Sequence, residues 1–224
     1  MNRKFSLFSA LFALALVLFI LTCAIALPIY LRPFYYAHIE PMNLSAVSGY
    51  TADQIKAGYD AVLDYLTLPG REFSAGYFAY SPEGAAHFAD CKVLFDLNRN
   101  VLLASLAVLL ALDIFRRVKN RPTYVLFGRP AALTAGIFAL ALPIVLGSLA
   151  ALDFDRAFVI FHSLFFPGKE NWIFDWYADP IIRVLPQDFF MHCGILIALG
   201  VVVFSLAAIA CGLIQKHRKP RVQV

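Results

Sequence analysis

Residues 153–188 read DFDRAFVIFHSLFFPGKENWIFDWYADPIIRVLPQD, and they separate two long apolar runs at about 130–152 and 189–214. Within this stretch His162 stands among aromatic and aliphatic residues, where an imidazole finds no water to hydrogen-bond. Such a ring has to be paired, lie in a cavity or take part in chemistry. The stretch therefore predicts a break between two membrane spans and one half of a functional site.

The composition is that of an integral membrane protein. Of the 224 residues 61% are hydrophobic and only 15% are charged, and the mean hydropathy is +0.71. This leaves too little polar surface to enclose a soluble core. The four cysteines show no CxxC spacing, which favours buried free thiols over a disulfide or a metal site.

Four segments are predicted to cross the membrane, at about 5–28, 93–116, 130–152 and 189–214. The first is treated as a helix and not as a cleaved signal peptide, because the apolar part of a signal peptide is usually only about 7–15 residues long. The second needs part of 93–100, since the apolar run from Val101 to Leu112 spans only roughly 18 Å. The polar residues within 93–100 predict either polar contacts between helices or a substrate cleft.

Basic residues cluster near the N-terminus (2–4), between the second and third spans (116–129) and at the C-terminus (216–221). By the positive-inside rule both ends are cytoplasmic. The predicted fold class is thus an all-α membrane protein in one domain, 1–224. It has four transmembrane helices, an extracytoplasmic insertion between spans 1 and 2 (about 30–82) and an interfacial segment between spans 3 and 4 (about 153–188).

Local signals predict elements within the insertion. Thr51 and Gln54 form a capping-box pattern, and apolar residues then recur at helical spacing until Pro69. The residues 73–80 suggest a short strand. Ser81 followed by Pro82 is typical of an N-cap and the first residue of a helix.

Polar groups that could carry chemistry gather in the extracytoplasmic segments. Asp90 lies three residues after His87, so on a helix its carboxylate could hold that imidazole in one tautomer. A solvated surface pair is the alternative. Asp155 precedes His162 by two helical turns, and His192 and Arg183 lie further along the chain.

Two kinds of site remain open from these residues. One is a metal site formed by His87, Asp90, His162 and His192, for which the chain lacks a close-set ligand pair. The other is metal-free acid and base catalysis by two imidazoles, whose ordinary pKa of about 6.5 suits proton transfer near neutrality. We expect no metal, no cofactor and no nucleic-acid partner. Nucleophile-elbow, Walker, dinucleotide and kinase motifs are missing, so the nucleophile is expected to belong to the substrate.

Two groups of residues also carry a family resemblance. They are His87-Phe88-Ala89-Asp90-Cys91-Lys92 with Leu94-Phe95, and Phe161-His162, Phe165-Phe166, Asn171-Trp172, Asp179-Pro180, Pro186 and Phe189-Phe190. Together with the span layout they resemble the bacterial lipoprotein intramolecular transacylases, the Lit family, over most of the chain.

The resemblance implies an acyltransferase of the bacterial cytoplasmic membrane with its active site on the extracytoplasmic side. Its substrate would be a diacylglyceryl-modified lipoprotein among membrane lipids. The sn-2 acyl chain would move to the α-amino group of the N-terminal cysteine, leaving a lyso-form. By motif the two essential histidines would be His87 and His162, and either could be the acid or the base.

Five further residues are expected to support these histidines: Asp90, Arg183, Asn171, Trp172 and Asp179. Arg183, Asn171 or the Trp172 indole could stabilise the tetrahedral oxyanion. Two alternatives to this enzyme remain. One is a non-catalytic adaptor that binds lipid or protein, and the other is a membrane metalloenzyme that uses the same histidines.

Overall fold

The computed structural model describes residues 6–217, without the side chains of 142, 144–146 and 148–151. The basic residues 2–4 and 218–221, used above to predict sidedness, lie outside the described residues. The helices are α1 (Leu7–Tyr30), α2 (Arg32–Tyr36), α3 (Leu44–Ser48), α4 (Ala52–Thr67), α5 (Pro82–Val118), α6 (Ala131–Leu152), α7 (Phe154–Phe165), α8 (Ile181–Val184) and α9 (Gln187–His217). Strands β1 (Val125–Leu126) and β2 (Arg129–Pro130) pair antiparallel.

Within the described residues α1 and α9 are both long and apolar enough to cross a membrane. Only 28% and 22% of their most apolar stretches are buried, so these helices present apolar side chains outward, as contact with lipid requires. They correspond to the first and fourth predicted spans. Helices α5 and α6 cover the second and third, and four crossings stay a prediction.

The chain divides into two compact units. The first unit comprises residues 1–25, 99–148 and 197–224, and the second comprises 26–98 and 149–196. The candidate functional residues of the sequence all belong to the second unit.

In the first unit α6 and α9 pack backbone against backbone through glycines. A Cβ on Gly212 would lie 2.5 Å from the backbone nitrogen of Leu133, and one on Gly136 would lie 2.8 Å from the carbonyl oxygen of Ser205. Small residues allow helices to approach this closely, which is typical of membrane helix pairs.

The basic loop after α5 contains a hairpin that the sequence did not predict. Phe127 and Gly128 form its turn with φ values of 52° and 73°, the left-handed conformation that tight two-residue hairpins need. The hairpin is held to α1 because Val125 N donates to Ser9 Oγ at 3.2 Å. Tyr124 OH also donates to the Leu112 carbonyl of α5 at 2.8 Å.

The second unit is built on α4, and here the sequence prediction is confirmed. Thr51 Oγ1 accepts from Gln54 N at 3.3 Å, and Gln54 Oε1 accepts from Thr51 N at 2.9 Å, which completes the capping box. The apolar positions predicted to share one face are all buried: Ile55, Tyr59, Val62, Leu63 and Leu66.

Tyr35 lies at the centre of this core. Its ring stacks on Tyr59 with 3.8 Å between centroids, and its hydroxyl donates to the Val184 carbonyl at 2.7 Å. One side chain thereby joins α2, α4 and α8. At the surface Arg32 bonds Asp60 at 2.9 Å and also Asp64, which fixes α2 against α4.

The prediction of a short strand at 73–80 is wrong. Residues 71–80 form an irregular segment with a turn in which Gly76 has a φ of +62°. The turn packs directly on α4, since a Cβ on Gly76 would lie 2.9 Å from Gly58 Cα and one on Gly58 would lie 2.1 Å from the Phe78 ring. This close packing requires glycine on both sides and replaces the pairing that a strand would need.

Candidate active site

The beginning of α5 is fixed by Asp179, which is 2% exposed. This carboxylate accepts from Ser81 N at 2.7 Å and from Ser81 Oγ at 2.8 Å, and Ser81 Oγ in turn accepts from Gly84 N at 2.9 Å. A Cβ on Gly84 would lie 2.3 Å from Asp179 Oδ1. Asp179, predicted as a supporting residue, is therefore placed as the anchor of the helix turn that precedes His87.

His162 lies in the last turn of α7, whose N-cap is Asp153. Its Nδ1 is 2.8 Å from the Phe158 carbonyl oxygen. Because a carbonyl only accepts, Nδ1 carries the proton and Nε2 of the neutral ring keeps a lone pair. The Trp172 ring stacks on the imidazole with 4.6 Å between centroids and 26° between planes, and its indole N–H donates to the Lys169 carbonyl.

The structure brings His87 and His162 together. Their ring centroids are 5.8 Å apart, and the residues are 5% and 8% exposed. Aromatic rings surround the pair: Phe166 lies 5.0 Å and Phe174 5.5 Å from His87, and Phe158 lies 4.3 Å from His162. The two imidazoles therefore form a buried pair in an aromatic surround.

Burial keeps both imidazoles neutral at neutral pH. It lowers the pKa of His87 to about 4, and the positive charge of a protonated His162 and that of Lys169 act in the same direction. Asp90 and Asn171 oppose this shift only in part. Burial also lowers the pKa of His162, and the hydrogen bond to the Phe158 carbonyl, which raises it, offsets this only in part. The pair therefore accommodates one proton at a time.

Asp90 bonds the side chains of Lys169 and Asn171. Its carboxylate accepts from Lys169 Nζ and, at 3.0 Å, from Asn171 Nδ2, and no direct bond from Asp90 to His87 occurs among the described residues. These two donors hold the pKa of Asp90 below its usual value. The carboxylate is charged, and Lys169 and Asn171 satisfy it.

The two nitrogens of His87 have different surroundings. Nε2 lies 3.4 Å from Cys91 Sγ, and burial raises the pKa of that thiol to about 12, so the sulfur stays protonated and is a weak donor. Nδ1 of His87 is buried and has no hydrogen-bond partner within the described part of the chain, and the same is true of Asn171 Oδ1.

Other predicted site residues lie elsewhere. Arg183 donates to the Trp176 carbonyl through Nε at 2.9 Å and Nη2 at 2.6 Å, and its guanidinium lies over the rings of Trp176 and Tyr177. The His192 ring lies 4.9 Å from that of His38. Among the described residues no group of three or more His, Cys, Asp and Glu is arranged to hold a metal ion.

A groove of about 530 Å³ borders the His162–Trp172 stack. It is lined by Ser163, Phe166, Gly168, Lys169, Glu170, Trp172 and Ile173. Its mixed lining of aromatic and charged side chains suits a ligand that has both an apolar and a polar part.

Sequence reasoning missed Phe158, Phe174 and Lys169. Phe158 carried a usable signal, because a residue four positions before a helical histidine presents its carbonyl to that ring. Lys169 and Phe174 carried none, since their contacts with Asp90 and His87 join segments far apart in the chain.

The chain is similar to known proteins in sequence and in fold. The family described as lipoprotein intramolecular transacylase Lit matches residues 10–190. The solved structure of the membrane integral lipoprotein intramolecular transacylase Lit from Bacillus cereus is similar, with a TM-score of 0.84, 26% identity and 94% of each chain covered. Two variants of that protein, with a histidine replaced by arginine or by alanine, have TM-scores of 0.78 at 26% identity. They cover 94% of this chain and 91% and 92% of their own.

No protein with a curated description matches the chain. The family match nevertheless extends over most of its length, and the similar solved structures cover nearly all of it. The chain therefore belongs to the lipoprotein intramolecular transacylase family, Lit.

Proposed function

We propose that this acyltransferase moves the sn-2 acyl chain of a diacylglyceryl lipoprotein to the α-amino group of the same molecule's N-terminal cysteine, giving the lyso-form. The observation that carries the proposal is the pair of buried, neutral imidazoles of His87 and His162, 5.8 Å apart in an aromatic surround. Ester aminolysis needs such a pair, because a proton must leave nitrogen and another must reach the departing oxygen.

The substrate supplies both reactants, so the protein has only to fold one lipid headgroup into a reactive geometry. Holding a nucleophile and an ester together can be worth an effective molarity of about 10⁵ M or more. The groove beside Trp172 is the proposed place for the polar part of the lipoprotein. Its acyl chains would extend toward the membrane.

His162 is the proposed base. Its Nδ1–H bond to the Phe158 carbonyl persists in the imidazolium and stabilises it, while Nε2 is left to take the proton of the attacking amine. His87 is the proposed acid toward the sn-2 oxygen. It rests neutral, and its Nε2 receives the proton that His162 has taken from the amine. Because its pKa is only about 4, it passes that proton readily to the departing oxygen. Since two protonated rings repel each other, the pair passes one proton through the reaction.

The tetrahedral oxyanion needs a donor, for which Asn171, Arg183 and Trp172 were predicted. The Trp172 N–H donates to the Lys169 carbonyl and the Arg183 guanidinium to the Trp176 carbonyl. Asn171 uses Nδ2 toward Asp90 and has a second amide hydrogen. It is the donor we favour.

The proposed setting is the bacterial cytoplasmic membrane, with four spans, both termini cytoplasmic and the histidines on the extracytoplasmic side. Support comes from the apolar helices α1 and α9 and from the basic residues 116–129 between α5 and α6. The partners are the lipoprotein substrate and the surrounding lipids.

The test uses a synthetic diacylglyceryl lipopeptide with a deuterated sn-2 chain, incubated with the purified protein and analysed by mass spectrometry. We expect an unchanged total mass with the deuterated chain now amide-linked to the cysteine. A mixture with an unlabelled lipopeptide of different sequence should give no exchange of chains. Release of free fatty acid, or transfer between molecules, would contradict the proposal.

The two alternatives are tested in the same assay. An adaptor would bind the lipopeptide and leave its mass distribution unchanged. A metalloenzyme would stop after exhaustive chelation and recover on addition of Zn²⁺, whereas we expect full activity after chelation.

A further inference from the structure

The orientation of the Asn171 amide is decided by Asp90. The oxygen and nitrogen ends of an asparagine amide have the same shape, so the hydrogen-bond partners decide which end is which. A carboxylate accepts only, and its donors here are Lys169 Nζ and Asn171 Nδ2. The amide nitrogen must therefore face Asp90, and the amide oxygen must face away from it.

The oxygen that faces away is buried and has no partner among the residues that the structure describes, and the same holds for Nδ1 of His87. Buried polar atoms are rarely left unpaired, because each loses its bonds to water. Hydrogen bonding with the Asn171 side chain also raises the pKa of this imidazole against the effect of burial, as an acceptor of the ring proton does. A bond from Nδ1–H to Oδ1 satisfies both atoms at once.

We propose that Asn171 is the positioning residue of His87: its Oδ1 accepts the Nδ1 proton, and Lys169, through Asp90, holds the amide in that orientation. The ring then keeps its lone pair on Nε2, where the weak donor Cys91 Sγ lies at 3.4 Å and can be displaced by substrate. The catalytic consequence rests on the proposed function, whereas the tautomer is a property of the ring alone.

An amide between the carboxylate and the ring has a physical advantage. A carboxylate in direct contact would strongly favour the imidazolium, and a pair that carries one proton would then hold it permanently. An amide oxygen orients the ring without adding charge. Lys169 further offsets the charge of Asp90, since it lowers the pKa of both groups.

The groups that face His87 come from three parts of the second unit. Helix α5 contributes Asp90 and Cys91, α7 contributes His162, and the segment after α7 contributes Lys169 and Asn171. Phe166 and Phe174 complete the surround and do not titrate. A change in the protonation of His87 can therefore be traced to one of these neighbours.

The test is nitrogen NMR of the full chain in detergent micelles with ¹⁵N-labelled histidine. The five histidines give few signals, and His87 is identified as the one lost in His87→Gln. At pH 7.5 we expect the wild type to show a protonated Nδ1 and an unprotonated Nε2. In Asn171→Ala the signals should move toward a mixture of tautomers, and in Lys169→Met they should move partly, with Lys169→Arg restoring them.

The matched control is Gln187→Ala. Gln187 donates its amide to Asp155, an exposed bond of the same type in the same unit that touches neither catalytic histidine. Its removal should leave the His87 signals and the activity unchanged. For Asn171→Ala we expect kcat to fall about tenfold or more with little change in KM, because the His87 tautomer and the oxyanion donor both act in the transition state and not in binding. The nitrogen signals of His87 separate the two roles, since loss of an oxyanion donor alone leaves the tautomer unchanged.

A wild-type His87 protonated on Nε2 would overturn the proposal, and this result needs no folded Asn171 or Lys169 variant. Identical His87 signals in wild type and folded Asn171→Ala would overturn it as well. If the wild type shows the expected tautomer but converts no lipopeptide, the proposed function fails and the positioning of His87 by Asn171 stands.

Discussion

The rings of His87 and His162 lie 5.8 Å apart with 33° between their planes, although one residue is on α5 and the other on α7. At this separation both are buried, and the protonation of one lowers the pKa of the other. The two imidazoles are therefore coupled electrostatically, and they should respond to mutation and to pH as one unit.

The first prediction concerns additivity. We expect His87→Ala and His162→Ala each to reduce product formation by about 10²-fold or more, and the double variant to be hardly worse, because groups that serve one proton transfer are not independent. His192→Ala is the control, since its ring lies against His38 and not in this pair. Product per mole of monodisperse protein is measured by mass spectrometry. Multiplicative losses in the double variant would show that the rings act separately.

The second prediction concerns pH. The α-amine of the substrate has a pKa of about 8, and His162 must be neutral, with a pKa lowered below its ordinary value by burial. We therefore expect log(kcat/KM) to rise with slope one as the pH increases toward about 8, and with slope two below the pKa of His162. A rate that falls between about pH 6 and 8, with the protein still folded, would mean that a protonated imidazole is required in the resting state.

The third prediction concerns stability. Asp179→Ala removes two bonds to Ser81 and leaves the beginning of α5 without its anchor, so we expect the free energy of unfolding to fall by about 2 kcal/mol. Gly84→Ala should act in the same direction, because its Cβ would lie 2.3 Å from Asp179 Oδ1. Asp175→Ala, which removes bonds within an exposed turn, is the control. Thermal unfolding in detergent compares the three, and an unchanged Asp179→Ala midpoint would refute the anchoring role.

The fourth prediction concerns topology. In intact cells an impermeant thiol reagent should modify a cysteine at Ala57, which is exposed on α4, but not one at Lys119 in the basic loop after α5. The wild-type protein gives the background from its own four cysteines. Permeabilised cells should label both positions. Labelling of Lys119→Cys before permeabilisation would exclude the four-span arrangement.

Local patterns predicted several helices well. The capping box and the apolar period placed α4, Ser81 and Pro82 marked the beginning of α5, and the apolar run 131–152 matches α6. Such features depend on neighbours within a few residues, so they can be read from the chain in order. The prediction of a strand at 73–80 was wrong for the opposite reason. The conformation of that segment is set by its packing on Gly58, which lies in another part of the chain.

The sequence by itself determined that this chain belongs in a membrane and that His87 and His162 are the candidate catalytic residues. Charge, hydropathy and motif are properties of the residues themselves. Only the tertiary structure decided which groups these rings meet. It bonded Asn171 to Asp90 and stacked Trp172 on His162. It also bonded Arg183 to the Trp176 carbonyl and placed the His192 ring beside that of His38. These contacts join segments far apart in the chain, and the directions of their hydrogen bonds exist only once the segments have packed.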